Sequence, residues 1–137
     1  DDELVGKAGS MLWSGGVIVM DDSRCRVESL KRLSYFYRHE SCGQCTPCRE
    51  GTGWLWRVVE RIHTGQGRQS DLDLLKSVAD NIQGRTICAL GDAAAMQVRA
   101  TITHLCHEFL AMIQKYTALP ATSNGAIPAS CRAAAQP

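Results

Sequence analysis

Three cysteines fall within seven residues, Cys42-Gly43-Gln44-Cys45-Thr46-Pro47-Cys48, and a fourth, Cys88, follows after 39 more. A chain with this spacing must either return Cys88 to the triplet or leave good thiolate ligands unused. At C-x2-C-x2-C spacing, three thiolates can wrap one side of an iron–sulfur cubane, each on a separate iron, and a remote fourth completes the set. Gly43 permits a tight turn between the first two ligands. Pro47 suits the first position of a helix capped by Thr46. That would place Cys48 in a first turn whose free amides favour an anionic group and can hydrogen-bond to its sulfurs. Structural zinc is the competing reading, although zinc sites more often pair two separated C-x2-C knuckles or mix cysteine with histidine. A redox disulfide is a third reading.

Seven cysteines are an odd number, which a complete disulfide framework cannot use in full, and their clustering says more than their count. Their crowding suggests a reducing compartment, cytosolic or its organellar equivalent. Cys25, Cys106 and Cys131 stand at no useful metal-ligand spacing in the sequence, and Cys106 reads as a small core residue. Arg49, Arg57 and Arg85 lie near the four cysteines in sequence and could offset an anionic group, or simply line a solvated helix face. His104 and His107 flank Cys106, a pattern better explained by packing or surface polarity than by a second metal site. His39 and Glu40 precede the triplet and could modulate it. Trp54 reads as core, and together with Trp56 as a shield against water rather than an electron relay. A net charge of +1 offers no case for nucleic acid, and no apolar run is long enough to cross a bilayer. The chain opens Asp1-Asp2-Glu3 with no initiator Met, which reads as a piece of a longer polypeptide.

With 45% hydrophobic and 21% charged residues, most of the chain should fold, and its length allows one modest core. Met11-Leu12-Trp13 and Val17-Ile18-Val19-Met20 read as two short strands around a turn at Ser14-Gly15-Gly16. From Val27 the apolar period changes to about 3.6, through Leu30, Leu33, Ser34 and Tyr37, for a helix ending near His39. Trp54, Leu55, Val58, Val59 and Ile62 mark a second helix, closed by residues 63–67. Ser70, Asp71 and Asp73 begin a third, with Leu72, Leu75, Val78, Ala79 and Ile82 inward and Gly84 as its stop. A fourth starts near Asp92 and carries Ala95, Val98, Ile102, Leu105, Phe109 and Met112. Beyond about Tyr116 the small, aperiodic sequence is expected to be a disordered tail. The expected fold class is therefore mainly α, a small four-helix domain around a cluster.

Glu40-Ser41-Cys42-Gly43-Gln44-Cys45-Thr46-Pro47-Cys48-Arg49-Glu50-Gly51 and Gly84-Arg85-Thr86-Ile87-Cys88-Ala89-Leu90-Gly91-Asp92 resemble the C-terminal part of the NADH-binding flavoprotein of respiratory complex I, the F subunit of NADH-quinone oxidoreductase. The resemblance runs from about residue 9 to 115. It implies that Cys42, Cys45, Cys48 and Cys88 ligate one [4Fe-4S] cluster that receives electrons from FMN. It implies a helical iron–sulfur domain over 26–115, preceded in residues 1–25 by a β remnant, the end of a β-grasp domain; the expected tail over 116–137 lies outside the resemblance. FMN and NADH belong to a glycine-rich domain of the parent protein. This chain has no G-x-G-x-x-G fingerprint and is not expected to oxidise NADH alone. The implied partners are other peripheral-arm subunits of complex I, the [2Fe-2S] E-type and the multi-cluster G-type. The implied location is the cytoplasmic or mitochondrial matrix face of the membrane. The same module resembles flavoprotein subunits of NAD-reducing hydrogenases and NAD-dependent formate dehydrogenases. Residues 86–92 lean toward complex I.

Overall fold

The computed structural model describes residues 2–8 and 15–116. Five helices follow in chain order: α1 (Asp2–Lys7), α2 (Arg26–Glu40), α3 (Thr46–His63), α4 (Ser70–Ile82) and α5 (Ala89–Tyr116). The last four form the domain. α2 packs on α3, α3 on α4, α4 on α5 and α5 back on α2, with α3 and α5 meeting across the middle. Among the described residues α1 packs against none of them.

Each of the four helices has a local cause. At the head of α2, Asp21 Oδ1 accepts from the Ser23 N–H at 3.1 Å and the Ser23 hydroxyl at 2.6 Å. That turn leads the chain into the helix. The Cys25 thiol then serves as N-cap, accepting from the Glu28 N–H at 3.4 Å. α3 buries Cys48, Thr52, Leu55, Val59 and Ile62 along one stripe. It can approach α4 closely because residue 51 is glycine: a Cβ there would stand 2.6 Å from the side chain of Ile82. α4 is anchored by Asp71, whose buried carboxylate accepts from the Arg68 N–H at 2.8 Å and pairs with Arg61 of α3. It stops at Gly84, whose φ of +73° suits a residue without a side chain. α2 is tied to the far half of α5 by the pair Arg26–Glu108 at 2.5 Å.

The core runs through all four helices, from Val27 and Leu30 through Leu55, Val59, Ile62, Leu72, Leu75, Ala79 and Ile82 to Ala95, Val98, Ile102, Cys106, Phe109 and Ile113. The four expected helices are thus present as α2 to α5, with three corrections of detail. α5 begins three residues earlier than expected. Its buried stripe is completed by Cys106 and Ile113 rather than Leu105 and Met112, and helical geometry breaks at Leu105 (φ −122°, ψ 24°), where the stripe changes register. Trp54 is 53% exposed, not core. It stands one residue off the stripe of Leu55 and so is turned about 100° away from it.

The expected β element is not found among the described residues. Val17–Met20 has no regular structure, and Val19 is 89% exposed. An apolar run makes a strand only when a neighbour completes its ladder, and none among the described residues lies alongside. Asp2–Lys7, within the supposed remnant, is helical, supported by the pair Lys7–Glu3 at 2.8 Å. Met11–Trp13 and the tail from 117 lie outside the described residues. No helix among the described residues is long and apolar enough to cross a membrane.

Phe109, fully buried, and Trp54 offer a direct check on this core. Phe109→Ala is expected to cost about 3–5 kcal/mol in denaturant unfolding, whereas Trp54→Ala should change stability by no more than about 0.5 kcal/mol.

Candidate metal centre

The site begins where α2 ends. Ser41 is the C-cap of α2, with φ −64° and ψ 121°, and sends the chain out into the cysteine loop. Gly43 sits at φ +78°, a left-handed conformation that reverses the loop between Cys42 and Cys45. Cys45 then takes the N-cap of α3 in extended geometry, φ −108° and ψ 137°, with Thr46 and Pro47 opening the helix. The cap is therefore Cys45, one residue earlier than expected. Its side chain makes no capping hydrogen bond.

Cys88 arrives from the other end of the domain. The Gly84 N–H donates to Asp92 Oδ1 at 2.7 Å, and the Thr86 hydroxyl donates to the Cys88 carbonyl at 2.9 Å. These bonds brace the turn against the first turn of α5 and leave Cys88 immediately before Ala89. Cys45 with Cys48, and Cys88 by itself, thus mark the N-terminal ends of two helices. Such ends carry free N–H groups and partial positive charge, an environment suited to anionic ligands.

Cys42, Cys45, Cys48 and Cys88 line one cavity of about 210 Å³, with Ser41, Ile87 and Leu90 in its wall. Cys48 is buried, Cys45 half-buried, and Cys42 and Cys88 exposed. Burial pushes the Cys48 thiol above its ordinary pKa. A hydrogen bond with Ser41 at 3.2 Å works the other way, and the neighbouring sulfurs of Cys45, Cys88 and Cys42 add to the upward shift. Among the described residues no group of three or more His, Cys, Asp or Glu side chains is arranged to hold a single metal ion. Around one zinc, with Zn–S near 2.3 Å, four sulfurs would crowd to about 3.8 Å from one another. Four thiols lining one cavity are the donor set of an iron–sulfur cluster, which offers each sulfur its own metal corner.

Of the three arginines singled out by position, one is seated on the cysteine loop. Arg49 donates to the Gly43 carbonyl at 3.1 Å and to Thr46 Oγ1 at 3.4 Å, and pairs with Glu50 at 3.0 Å. Arg57 donates instead to the Gly53 carbonyl of its own helix, and Arg85 to Asn81 Oδ1. Glu40 reaches the cavity wall and holds His39 at 3.1 Å. His104 and His107 are exposed, and Cys106 is buried in the core. Trp56 packs edge-on against Tyr35, with the Arg38 guanidinium 4.4 Å from its ring centre. It does not border the cavity. Cys131 lies outside the described residues. The first-turn amides expected to reach the sulfurs make no such bond among the described residues; Ser41 does, and sequence reasoning missed it. The only signal was a hydroxyl side chain directly before the first cysteine.

A small helical domain that starts two helices at a four-thiol cavity is, by class, an iron–sulfur domain. The chain belongs to the family described as the NADH-ubiquinone oxidoreductase-F iron-sulfur binding region, whose pattern matches residues 28–112, nearly the whole span of α2 to α5. It is 51% identical over 117 residues to the F subunit of NADH-quinone oxidoreductase from Rickettsia massiliae, covering 85% of this chain and 28% of that protein. It is 50% identical over 127 residues to the F subunit numbered 1 of the same enzyme from Rhizobium meliloti, covering 93% of this chain and 29% of that protein. Among solved structures it is similar to an NAD+-reducing [NiFe]-hydrogenase in the H2-reduced state, with a TM-score of 0.69 and 34% identity, covering 73% of this chain and 17% of that one. The chain therefore spans little more than a quarter of the length of the curated relatives it matches.

Two measurements test this geometry. In the metal-free protein, alkylation followed by mass spectrometry should label Cys42 and Cys88 first and Cys48 last. Cys48 should react roughly tenfold more slowly at neutral pH, because burial hinders access and keeps the thiol protonated. Its labelling should accelerate as pH rises through the raised pKa. In protein reconstituted with iron and sulfide, Arg49→Ala should release iron to a chelator roughly tenfold faster than the unsubstituted chain, since it removes the brace across the cysteine loop.

Proposed function

We propose that Cys42, Cys45, Cys48 and Cys88 together ligate one [4Fe-4S] cluster, and that the chain is the electron-transfer module of the F subunit of an NADH-quinone oxidoreductase. In this reading it accepts electrons from FMN after NADH oxidation and passes them to neighbouring iron–sulfur subunits. The observation that carries the reading is the convergence of all four thiols on one cavity from two distant stretches of chain. A bound cluster supplies reversible one-electron redox chemistry between a two-electron flavin and single-electron carriers.

The chain's own residues do the holding. Two helix starts offer positive potential, Arg49 adds a fixed cation on the loop, and Leu90 and Ile87 cover the cavity wall with apolar surface. No acid, base or nucleophile is required. NADH and FMN binding fall to the remainder of the parent protein, so this chain alone is not catalytic. Residues 26–115 form the cluster-bearing unit, and residues 1–25 belong with the preceding domain. Its partners are peripheral-arm subunits of the [2Fe-2S] E-type and the multi-cluster G-type. It sits on the cytoplasmic or matrix face of a membrane complex that moves charge across the membrane. A second reading, a flavoprotein module of an NAD-reducing hydrogenase, draws support from the structural likeness at 34% identity. Identity near 50% across most of the chain favours the NADH-quinone oxidoreductase.

Anaerobic reconstitution with iron and sulfide should load about four irons per chain and give the EPR signal of a reduced cubane after dithionite. Cys88→Ala should lose or alter that signal. Tight zinc binding with no iron uptake would replace the cluster by a structural metal.

A further inference from the structure

Among the described residues a single hydrogen bond reaches the four-sulfur set: Ser41 Oγ lies 3.2 Å from Cys48 Sγ. In the metal-free pair either atom could donate. A cysteine that ligates a metal is a thiolate and has no proton to give, so the Ser41 hydroxyl becomes the donor. Its position is fixed by the backbone, because Ser41 is the C-cap of α2 and lines the cavity. Its acceptor is also the most buried of the four cysteines, Cys48 being 5% exposed. A polar interaction is felt most strongly at such a site, where water screens least.

The geometry points to Ser41 as the positioning residue that sets the reduction potential of the bound cluster, through a hydroxyl-to-thiolate hydrogen bond on Cys48. This rests on the cluster reading above. Reduction brings one electron onto a group already surrounded by four thiolates, and the added charge is shared with the ligand sulfurs. A donor aimed at one of those sulfurs favours the reduced state over the oxidised one, which moves the potential upward. The proton stays on Ser41 Oγ throughout, and no bond to Ser41 is made or broken.

The test is an EPR-monitored redox titration of the full chain, reconstituted anaerobically with iron and sulfide and reduced by dithionite. Ser41→Ala is expected to lower the reduced-to-oxidised ratio at a fixed ambient potential about tenfold, a shift of about 59 mV to more negative values for a one-electron couple. Ser41→Thr keeps the hydroxyl and should stay within about twofold of the unsubstituted ratio, under about 20 mV. An unchanged potential in Ser41→Ala overturns the proposal. An equal shift in both variants does so too, since the shape of the cavity and not the hydroxyl would then matter. If Ser41→Ala fails to retain iron, Ser41→Gly replaces it with the same expectation. Should neither retain iron while Ser41→Thr does, the hydroxyl holds the cluster rather than setting its potential, and the proposal falls. A missing reduced-cluster signal in the unsubstituted chain overturns the cluster reading and this one together, an outcome distinct from a normal signal at an unmoved potential.

Discussion

Returning Cys88 to a triplet from which 39 residues separate it requires the start of α5 to lie against the start of α3, and most of the core serves that end. α4 fills the interval between them, held tightly to α3 through the absent side chain of Gly51 and through Asp71 with Arg61. α3 and α5 then meet directly across the domain, with Leu55, Val59 and Ile62 of one and Val98, Ile102 and Phe109 of the other in a single core. Side chains in such a core are packed without slack. The sulfurs inherit that rigidity because they sit within a residue or a turn of helix starts rather than out on long loops.

Four gathered sulfurs resist ionising together. Cys48 already shows this, since burial and the nearby cysteines both push its thiol toward the neutral form. The fold meets the difficulty with charge and dipoles from several directions: two helix N-termini, the Arg49 guanidinium laid across the loop at Gly43 and Thr46, and the Ser41 hydroxyl. Exposure of Cys42 and Cys88 leaves the other side of the cavity to solvent or to a covering surface. The site is thus asymmetric, dry and hydrogen-bonded at Cys48 and open at its opposite edge.

The helical part of this arrangement can be read from periodicity, because α2 to α5 each bury one stripe and end at recognisable punctuation, Gly84 above all. The spacing of cysteines points to the four that line the cavity. What escapes the sequence depends on tertiary detail. The size of Trp54 argues for the core, although position on the helix decides which way it faces. The change from Leu105 to Cys106 in the buried stripe follows a local break in α5 that no pattern of apolar residues announces. The composition of Val17 to Met20 suits a strand, but strands are made by neighbours. Ser41 shows in the sequence only as a hydroxyl beside the first cysteine, because a hydroxyl's partner is known only when the loop is folded.

The long interval between Cys48 and Cys88 also has a meaning in polymer terms. Any group bound by both residues acts as a cross-link across a loop that contains most of α3, all of α4 and the turn before α5. Closing a loop of about 40 residues removes conformational freedom from the unfolded chain worth roughly 4 kcal/mol in the chain-entropy treatment. That is a large share of the roughly 5–15 kcal/mol by which a domain is ordinarily stable. An occupant held by both residues would in this sense be a structural staple, and the domain that carries it would also be clamped by it.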